Sequence, residues 1–264
     1  MKIFILTDLE GPAMIFSFDQ TRLPEAAERM ALSKRLLTLE VNACIDGILD
    51  VDQQAEVVVW DGHGSGGIDY ELFHDQAQLV AGRGVQAPYG LDASFAALFF
   101  VGQHAMAGTP DAPLAHTYSS RSVEYYELNG VPIGEFGMRA AMAGTLFDVP
   151  TAFLSGDDKA VAEAQVLAPN LVGVATKIGL GREAAQSLAP ARARGLIRAG
   201  AAAACRLVQE GRVAPVRVSA PYRFEMRVLP GQEASLKGYL QRGARQLDER
   251  TIVLETDDPR AVLR

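Results

Sequence analysis

Apolar positions fall along this chain in short unbroken runs that alternate with segments of helical spacing. The first run, Lys2-Ile3-Phe4-Ile5-Leu6-Thr7, has the length of a strand and ends in Asp8-Leu9-Glu10-Gly11-Pro12. A loop from Gly11 to about Pro24 follows. Leu32, Leu36, Leu39, Ala43 and Ile48 then recur at roughly helical spacing with charges between them, which predicts a helix from about Glu25 to Asp50. Glu56-Val57-Val58-Val59-Trp60 is the next strand, so the order strand–helix–strand predicts a parallel pair with a right-handed crossover. Leu79–Gly82 reads as a short strand, Gly90–Phe95 as a short helix and Ala97–Gly102 as a buried strand.

Further on, Ser122–Leu128 and Val131–Ile133 flank Asn129-Gly130, a hairpin signal. Gly134-Glu135 opens a helix to about Leu146. The strand Val149–Leu154 ends in Ser155-Gly156-Asp157-Asp158, which caps a helix Lys159–Leu167. Leu171–Ala175 is one more strand. From Ala184 the composition turns to alanine and arginine, and Pro190–Gln209 reads as one helix rather than a linker. Val216–Ser219, Tyr222–Leu229 and Thr251–Glu255 read as strands around a helix from Glu233 to Arg242. The expected fold is α/β: a mainly parallel sheet flanked by helices in residues 1–190, with a smaller α+β portion in residues 191–264.

Composition narrows the field without choosing a function. A chain of 264 residues suits one large α/β domain, or one with an appendage. A net charge of −7 gives no basic face for nucleic acid, so no nucleic-acid partner is expected. Cys44 and Cys205 are too few for a disulfide framework, and their apolar helical contexts read as buried free thiols. Lys2 precedes a strand-length run and acids with no cleavage pattern, so no signal peptide is expected. No apolar stretch approaches the ~20 residues of a membrane span. A cytoplasmic protein without a membrane partner is expected.

The chemistry gathers at strand ends. Asp8 and Glu10, two apart, would face one side of a continuing strand and aim both carboxylates at one ion. The alternative is a pair of solvated acids or a helix cap. His63 follows Asp61 between Gly62 and Gly64, where the backbone can approach closely. His104 follows an apolar run and Gly102-Gln103, at the kind of strand end where α/β sheets bind ligands. Glu135 opens a helix, where the macrodipole already favours an acid. His116, after a proline-containing loop, could be a ligand, an acid or base, or a hydrogen-bonded loop residue. His74 has no strand before it and is left as structural or exposed. Gly62-His63-Gly64-Ser65-Gly66-Gly67 matches a dinucleotide fingerprint formally, but no acid lies between Asp75 and Asp92 and no helix opens at its third glycine.

With these residues in place, the chain resembles the D-aminopeptidase family of binuclear zinc metallopeptidases. The supporting segments are Thr7-Asp8-Leu9-Glu10-Gly11, Asp61-Gly62-His63, Gly102-Gln103-His104-Ala105, Ala115-His116-Thr117, Pro132-Ile133-Gly134-Glu135-Phe136-Gly137 and Ser155-Gly156-Asp157-Asp158, in the family's order. Thr176-Lys177 and Ser187-Leu188-Ala189-Pro190-Ala191 add to them. The resemblance implies two divalent ions per subunit, zinc being the family's metal. Asp8 would bridge them, Glu10 and His104 would complete one site, and His63 and Glu135 the other. It makes His116 catalytic, described in the family as a nucleophile. Acid/base work or transition-state stabilisation suits it better here, because two metals already acidify water.

The implied activity is hydrolysis of the N-terminal residue of short peptides, D-configured ones in the family. The implied assembly is a homodecamer to which residues 191–264 contribute contacts. Two departures adjoin the implied metals: Pro12-Ala13-Met14-Ile15-Phe16 is bulkier than the family's turn, and Gly62 stands where the family tends to have serine. Both bear on substrate size and chirality. The same ligands would also serve another metal-dependent amide or phosphoester hydrolase, or a non-catalytic metal-binding protein. His116 favours an enzyme, since a pure binder has no use for an extra acid/base group.

Overall fold

The computed structural model describes residues 1–22 and 27–263. Its first half runs β1 (Lys2–Thr7), α1 (Ala27–Leu49), β2 (Glu56–Asp61), β3 (Ala77–Val80) and β4 (Ala97–Gln103). A hairpin of β5 (Val123–Leu128) and β6 (Val131–Pro132) leads into α2 (Glu135–Phe147), β7 (Thr151–Asp157) and α3 (Asp158–Leu167). Then come β8 (Val172–Gly181), β9 (Ala184–Ser187), α4 (Pro190–Gln209) and β10 (Tyr222–Val228). The chain ends with α5 (Lys237–Leu240), β11 (Arg245–Asp248), β12 (Thr251–Thr256) and α6 (Pro259–Val262).

Seven strands form one sheet in the order β3-β2-β1-β4-β7-β8-β9, parallel except for β9. Its central strands β4 and β7 are buried along their whole length, because apolar residues such as Phe99, Phe100, Phe153 and Leu154 fill both faces. Helices α1 and α4 cover one face, packed on each other, with Cys44 and Cys205 buried in that layer as free thiols. On the other face lie α2 and a five-stranded antiparallel sheet, order β11-β12-β10-β5-β6. Strand β10 alternates buried and half-buried positions, with Tyr222, Phe224, Met226 and Val228 turned inward. Among the described residues no helix is long and apolar enough to cross a membrane.

Sequence and structure part at identifiable places. The two sheets do not divide at residue 190: α4 belongs to the layer on α1, and the hairpin β5–β6 pairs with β10. Gly90–Phe95 is no helix, since Tyr89 and Gly90 both take left-handed φ (62° and 92°) and the Asp92 carboxylate accepts from Ser94 in a turn. Among the described residues Val216–Ser219 pairs with no strand. Its backbone runs over α2 at Gly144, and Val218 N–H donates to Thr145 Oγ1. The helix expected over Glu233–Arg242 is a 3-10 turn, Glu233–Leu236, followed by the single turn of α5. Strands β9 and β11 are additions to the expected elements; both are short, at four residues each, and lack the apolar–polar alternation that marks a half-buried strand. Glu25 and Ala26, where the first helix was expected to open, lie outside the described residues.

Candidate metal centre

The strand order reverses at β1. From β1 the chain adds β2 and β3 on one side, then returns to place β4 on the other. The carboxyl ends of β1 and β4 therefore open a crevice at a topological switch point, where open α/β sheets bind ligands. Asp8 and Glu10 leave β1 into it, His63 arrives from the loop after β2, and His104 follows β4 directly. Asp8 and Glu10 do not continue the strand as expected. They sit in the bend after Thr7 and still converge, because the backbone there is clamped to β4 by Asp8 N–H on Val101 O (3.0 Å) and Gly11 N–H on Gly102 O (2.7 Å).

All five expected ligands and His116 come together in two touching groups: Asp8, Glu10 and His63, and His104, His116 and Glu135. His63 Nε2 lies 3.4 Å from Glu10 Oε1, and His104 Nε2 lies 3.3 Å from Asp8 Oδ2 and 3.4 Å from Glu135 Oε1. This differs from the pairing the resemblance implied, because Glu10 neighbours His63 and Glu135 neighbours His104. The cause is positional: β1 lies between β2 and β4, so its acids can reach a histidine on either side. His74 stands elsewhere, with its Nε2 3.4 Å from Asp46.

These separations are long for charge-assisted hydrogen bonds, which run about 2.7–2.9 Å. They match the roughly 3.3–3.5 Å between two ligand atoms that each bind a tetrahedral zinc at about 2.0–2.2 Å. Two buried atoms, Glu10 Oε2 and His104 Nε2, also lack any hydrogen-bond partner. Surrounding contacts orient the rings for ligation: His104 Nδ1 donates to Ala105 O (2.9 Å) and His116 Nδ1 to Leu114 O (2.8 Å), leaving Nε2 as the ring nitrogen that each can offer a metal. Ser65 Oγ is 3.2 Å from His63 Nδ1 and can play the same part. The residues present fit a metal.

Protons stand in for cations in the protein alone. Burial, then the Glu10 charge, pushes Asp8 up to about 7. Burial opposes ionisation of Glu10 and Glu135 as well, but His63 outweighs it for the first and His104 for the second, so both are held low. The histidines rise in return against burial, His63 to about 9 through Glu10, and His104 well above its ordinary value through Asp8 and Glu135. His116 goes the other way: burial and the His104 charge hold it down, with the two rings stacked at 3.9 Å. Metal loading would displace the protons on His63 and His104.

The site leans on residues that sequence reasoning assigned other roles or passed over. Asp157 caps α3 as expected, through Lys159 N–H and Ala160 N–H, but its second oxygen also accepts Ala105 N–H (3.1 Å) beside His104. Glu163 accepts Met106 N–H (2.9 Å). Lys177 is buried and donates to the carbonyls of Glu10, Pro12 and Ile15, which fixes the loop behind Glu10. Glu40 accepts Ala13 N–H (2.9 Å) in the same loop, and its other oxygen has no partner.

Burial lifts Glu40 from 4.5 to about 7, above its value in an unfolded chain. Between those values the unfolded chain has already released the proton that the folded protein keeps, so Glu40 costs stability as pH rises through the window. Glu40→Gln removes that slope. Its unfolding midpoint relative to the parent is expected to rise between pH 5 and 8 by the equivalent of on the order of 2 kcal/mol. Urea melts at the two pH values measure it, and a pH-independent difference would refute it.

The family model for D-aminopeptidases (peptidase M55) matches residues 1–264. A D-aminopeptidase of Bacillus subtilis (strain 168) is 32% identical over 200 residues, 75% of this chain and 71% of that protein. The solved structure of DppA from Bacillus subtilis, described as a Zn-dependent D-aminopeptidase and a self-compartmentalizing protease, superposes with a TM-score of 0.90. That match is 26% identical and covers 100% of this chain and 94% of that one. By its full-length match and its strand-end cluster of carboxylates and imidazoles, this chain belongs to the D-aminopeptidase family.

Proposed function

We propose that the protein is a metal-dependent aminopeptidase that hydrolyses the N-terminal residue of short peptides, D-configured ones included. The observation that carries this is the spacing of 3.3–3.4 Å among carboxylate and imidazole atoms around the unpartnered Glu10 Oε2 and His104 Nε2. Glu10 and His63 would hold one divalent ion and His104 and Glu135 a second, with Asp8 shared. The relative described as Zn-dependent supports zinc. Two ions held there supply Lewis acidity and a more acidic water.

The remaining chemistry is proton traffic, and His116 is placed for it. Its Nδ1 is committed to Leu114 O, and its lowered pKa leaves Nε2 unprotonated near neutral pH. That nitrogen can take a proton from the attacking water and return it to the departing amine, which cannot leave unprotonated. Tyr118 N–H, donating to Glu135 Oε1 at 2.7 Å, holds that carboxylate in position. His116→Ala is expected to lower kcat by about 10²–10⁴-fold with both ions retained. Near-normal turnover would end the acid/base role. Loss of one ion, measured by metal analysis of the same preparation, would make His116 a ligand instead, a role its place in the His104–Glu135 group permits.

The function is tested by metal content and by a panel of D- and L-aminoacyl p-nitroanilides and dipeptides. Two ions per chain, chelator-sensitive activity and amide turnover after zinc or manganese loading are expected. Zero or one ion, or no amide turnover, would count against it.

Assembly into a closed homo-oligomer, a decamer in the family, is part of the proposal, and the self-compartmentalizing relative supports enclosure. Met14, Phe16, Ile178 and Leu180 expose apolar side chains near the β8–β9 hairpin, surface that such an assembly would cover beside contacts from residues 191–264. A native mass ten times that of the 28.3 kDa chain is expected. The two buried free thiols support a reducing, cytoplasmic setting.

A further inference from the structure

Arg139 is a buried cation in the wall of the metal pocket. It lies one helical turn beyond Glu135 on α2, so both side chains leave the same face of that helix. Only 7% of it is exposed, yet among the described residues no carboxylate pairs with it. Aromatic groups hold it instead. The guanidinium lies 5.2 Å from the ring centre of Trp60, 4.4 Å from that of Tyr89 and 4.9 Å from that of Tyr118. Its Nη1 donates to the Tyr89 hydroxyl. A guanidinium has five N–H donors in a planar fork suited to a carboxylate, and this one leaves most of them uncommitted.

Its surroundings favour an anion. Arg139 and Tyr118 line both the pocket of about 420 Å³ that contains Asp8, Glu10, His63, His116 and Glu135 and an adjoining cavity of about 710 Å³. Among the described residues no Asp or Glu lines the larger cavity, to which the exposed Arg242 and Arg260 add two more cations. In a chain of net charge −7, that local excess of positive charge sits directly beside the carboxylate–imidazole cluster. A buried guanidinium without a counter-ion is costly, and an arriving carboxylate relieves that cost.

We propose that Arg139 binds the C-terminal carboxylate of the peptide substrate, so that the site selects short peptides with a free acid end. The assignment rests on the aminopeptidase function proposed above, which places the amino end at the metal cluster. The test compares D-Ala-D-Ala with D-Ala-D-Ala amide on the zinc-loaded protein and on its Arg139→Gln and Arg139→Lys variants. The parent is expected to prefer the acid by roughly 10- to 100-fold in kcat/KM, the range of a charge-assisted bidentate contact.

Arg139→Gln should collapse that ratio to within about threefold, mainly through KM for the acid, and Arg139→Lys should keep part of it. Equal rates for acid and amide in the parent would overturn the assignment. So would an Arg139→Gln variant that slows both substrates alike. Should Arg139→Gln fail to fold, the parent's ratio together with Arg139→Lys decides. Turnover of both substrates without discrimination sinks the Arg139 role alone, whereas turnover of neither sinks the aminopeptidase function itself.

Discussion

An Asp8→Ala protein is expected to lose at least about 10³-fold in kcat/KM, because the Lewis-acid stabilisation, worth several kcal/mol, that ions at the proposed site would supply is lost with them. Asp8 is the carboxylate common to both halves of the cluster. It groups with Glu10 and His63, while its Oδ2 lies 3.3 Å from His104 Nε2. Removing it leaves His104 and Glu135 on one side and Glu10 and His63 on the other, with no anion between the two ions that these residues are proposed to hold. Asp8→Asn is the informative companion. Its side-chain oxygen can still accept the Leu9 N–H that Asp8 Oδ1 takes at 2.8 Å, so the bend is kept while the charge is lost. Both variants should bind fewer than two zinc ions after dialysis. Two ions together with parental turnover in either one would overturn the bridging role proposed for Asp8.

Gly102→Ala is expected to destabilise the fold by about 3 kcal/mol or more, and to weaken metal binding with it. Gly102 is the bulge near the end of β4, with φ of +84°, and a Cβ there would stand 2.1 Å from Asp8 O and 2.9 Å from Leu37 Cδ1. The first contact is with backbone, so the chain around Asp8 or around His104 must move. Gly11 and Gly156 share the constraint: a Cβ on Gly11 would stand 2.2 Å from Gly102 C, and one on Gly156 2.0 Å from Gln103 O. Three strand ends meet there without side chains, which lets ligands from β1 and β4 reach one another. Gly231→Ala is the control, since Gly231 has a similar φ of +80° with nothing within 4 Å of a Cβ. It should cost only the about 1–2 kcal/mol of left-handed backbone. Equal denaturation midpoints for the two variants would show that the close approach at Gly102 does not matter.

Three of the candidate ligands were legible one at a time, because each sits where an apolar run stops. Thr7, Asp61 and Gln103 end β1, β2 and β4, and Asp8, His63 and His104 follow within two residues. Glu135 was legible only through its order in the family's segments. In an isolated sequence an acid opening a helix has a sufficient explanation in the helix dipole. Arg139 carried a weak local signal, a single cation four residues after Glu135 in an otherwise apolar helix. Its meaning came from Trp60, Tyr89 and Tyr118, which lie between 21 and 79 positions away in sequence and close over it only in the folded chain.

Local pattern by itself determined the kind and order of most elements and the chemistry at their ends, because hydrophobic periodicity, capping and turn preferences act within a few residues. The unbroken apolar run of β4 and the helix Pro190–Gln209 are of this sort. The sheet order beyond the β1–β2 pair and the β5–β6 hairpin, the proximity of Glu10 to His63 and of Glu135 to His104, and the hairpin's place beside β10 emerged only in three dimensions. These depend on burial of whole faces and on backbone contacts such as Gly102 against Asp8, whose energies arise between residues 94 apart in the chain and leave no local trace.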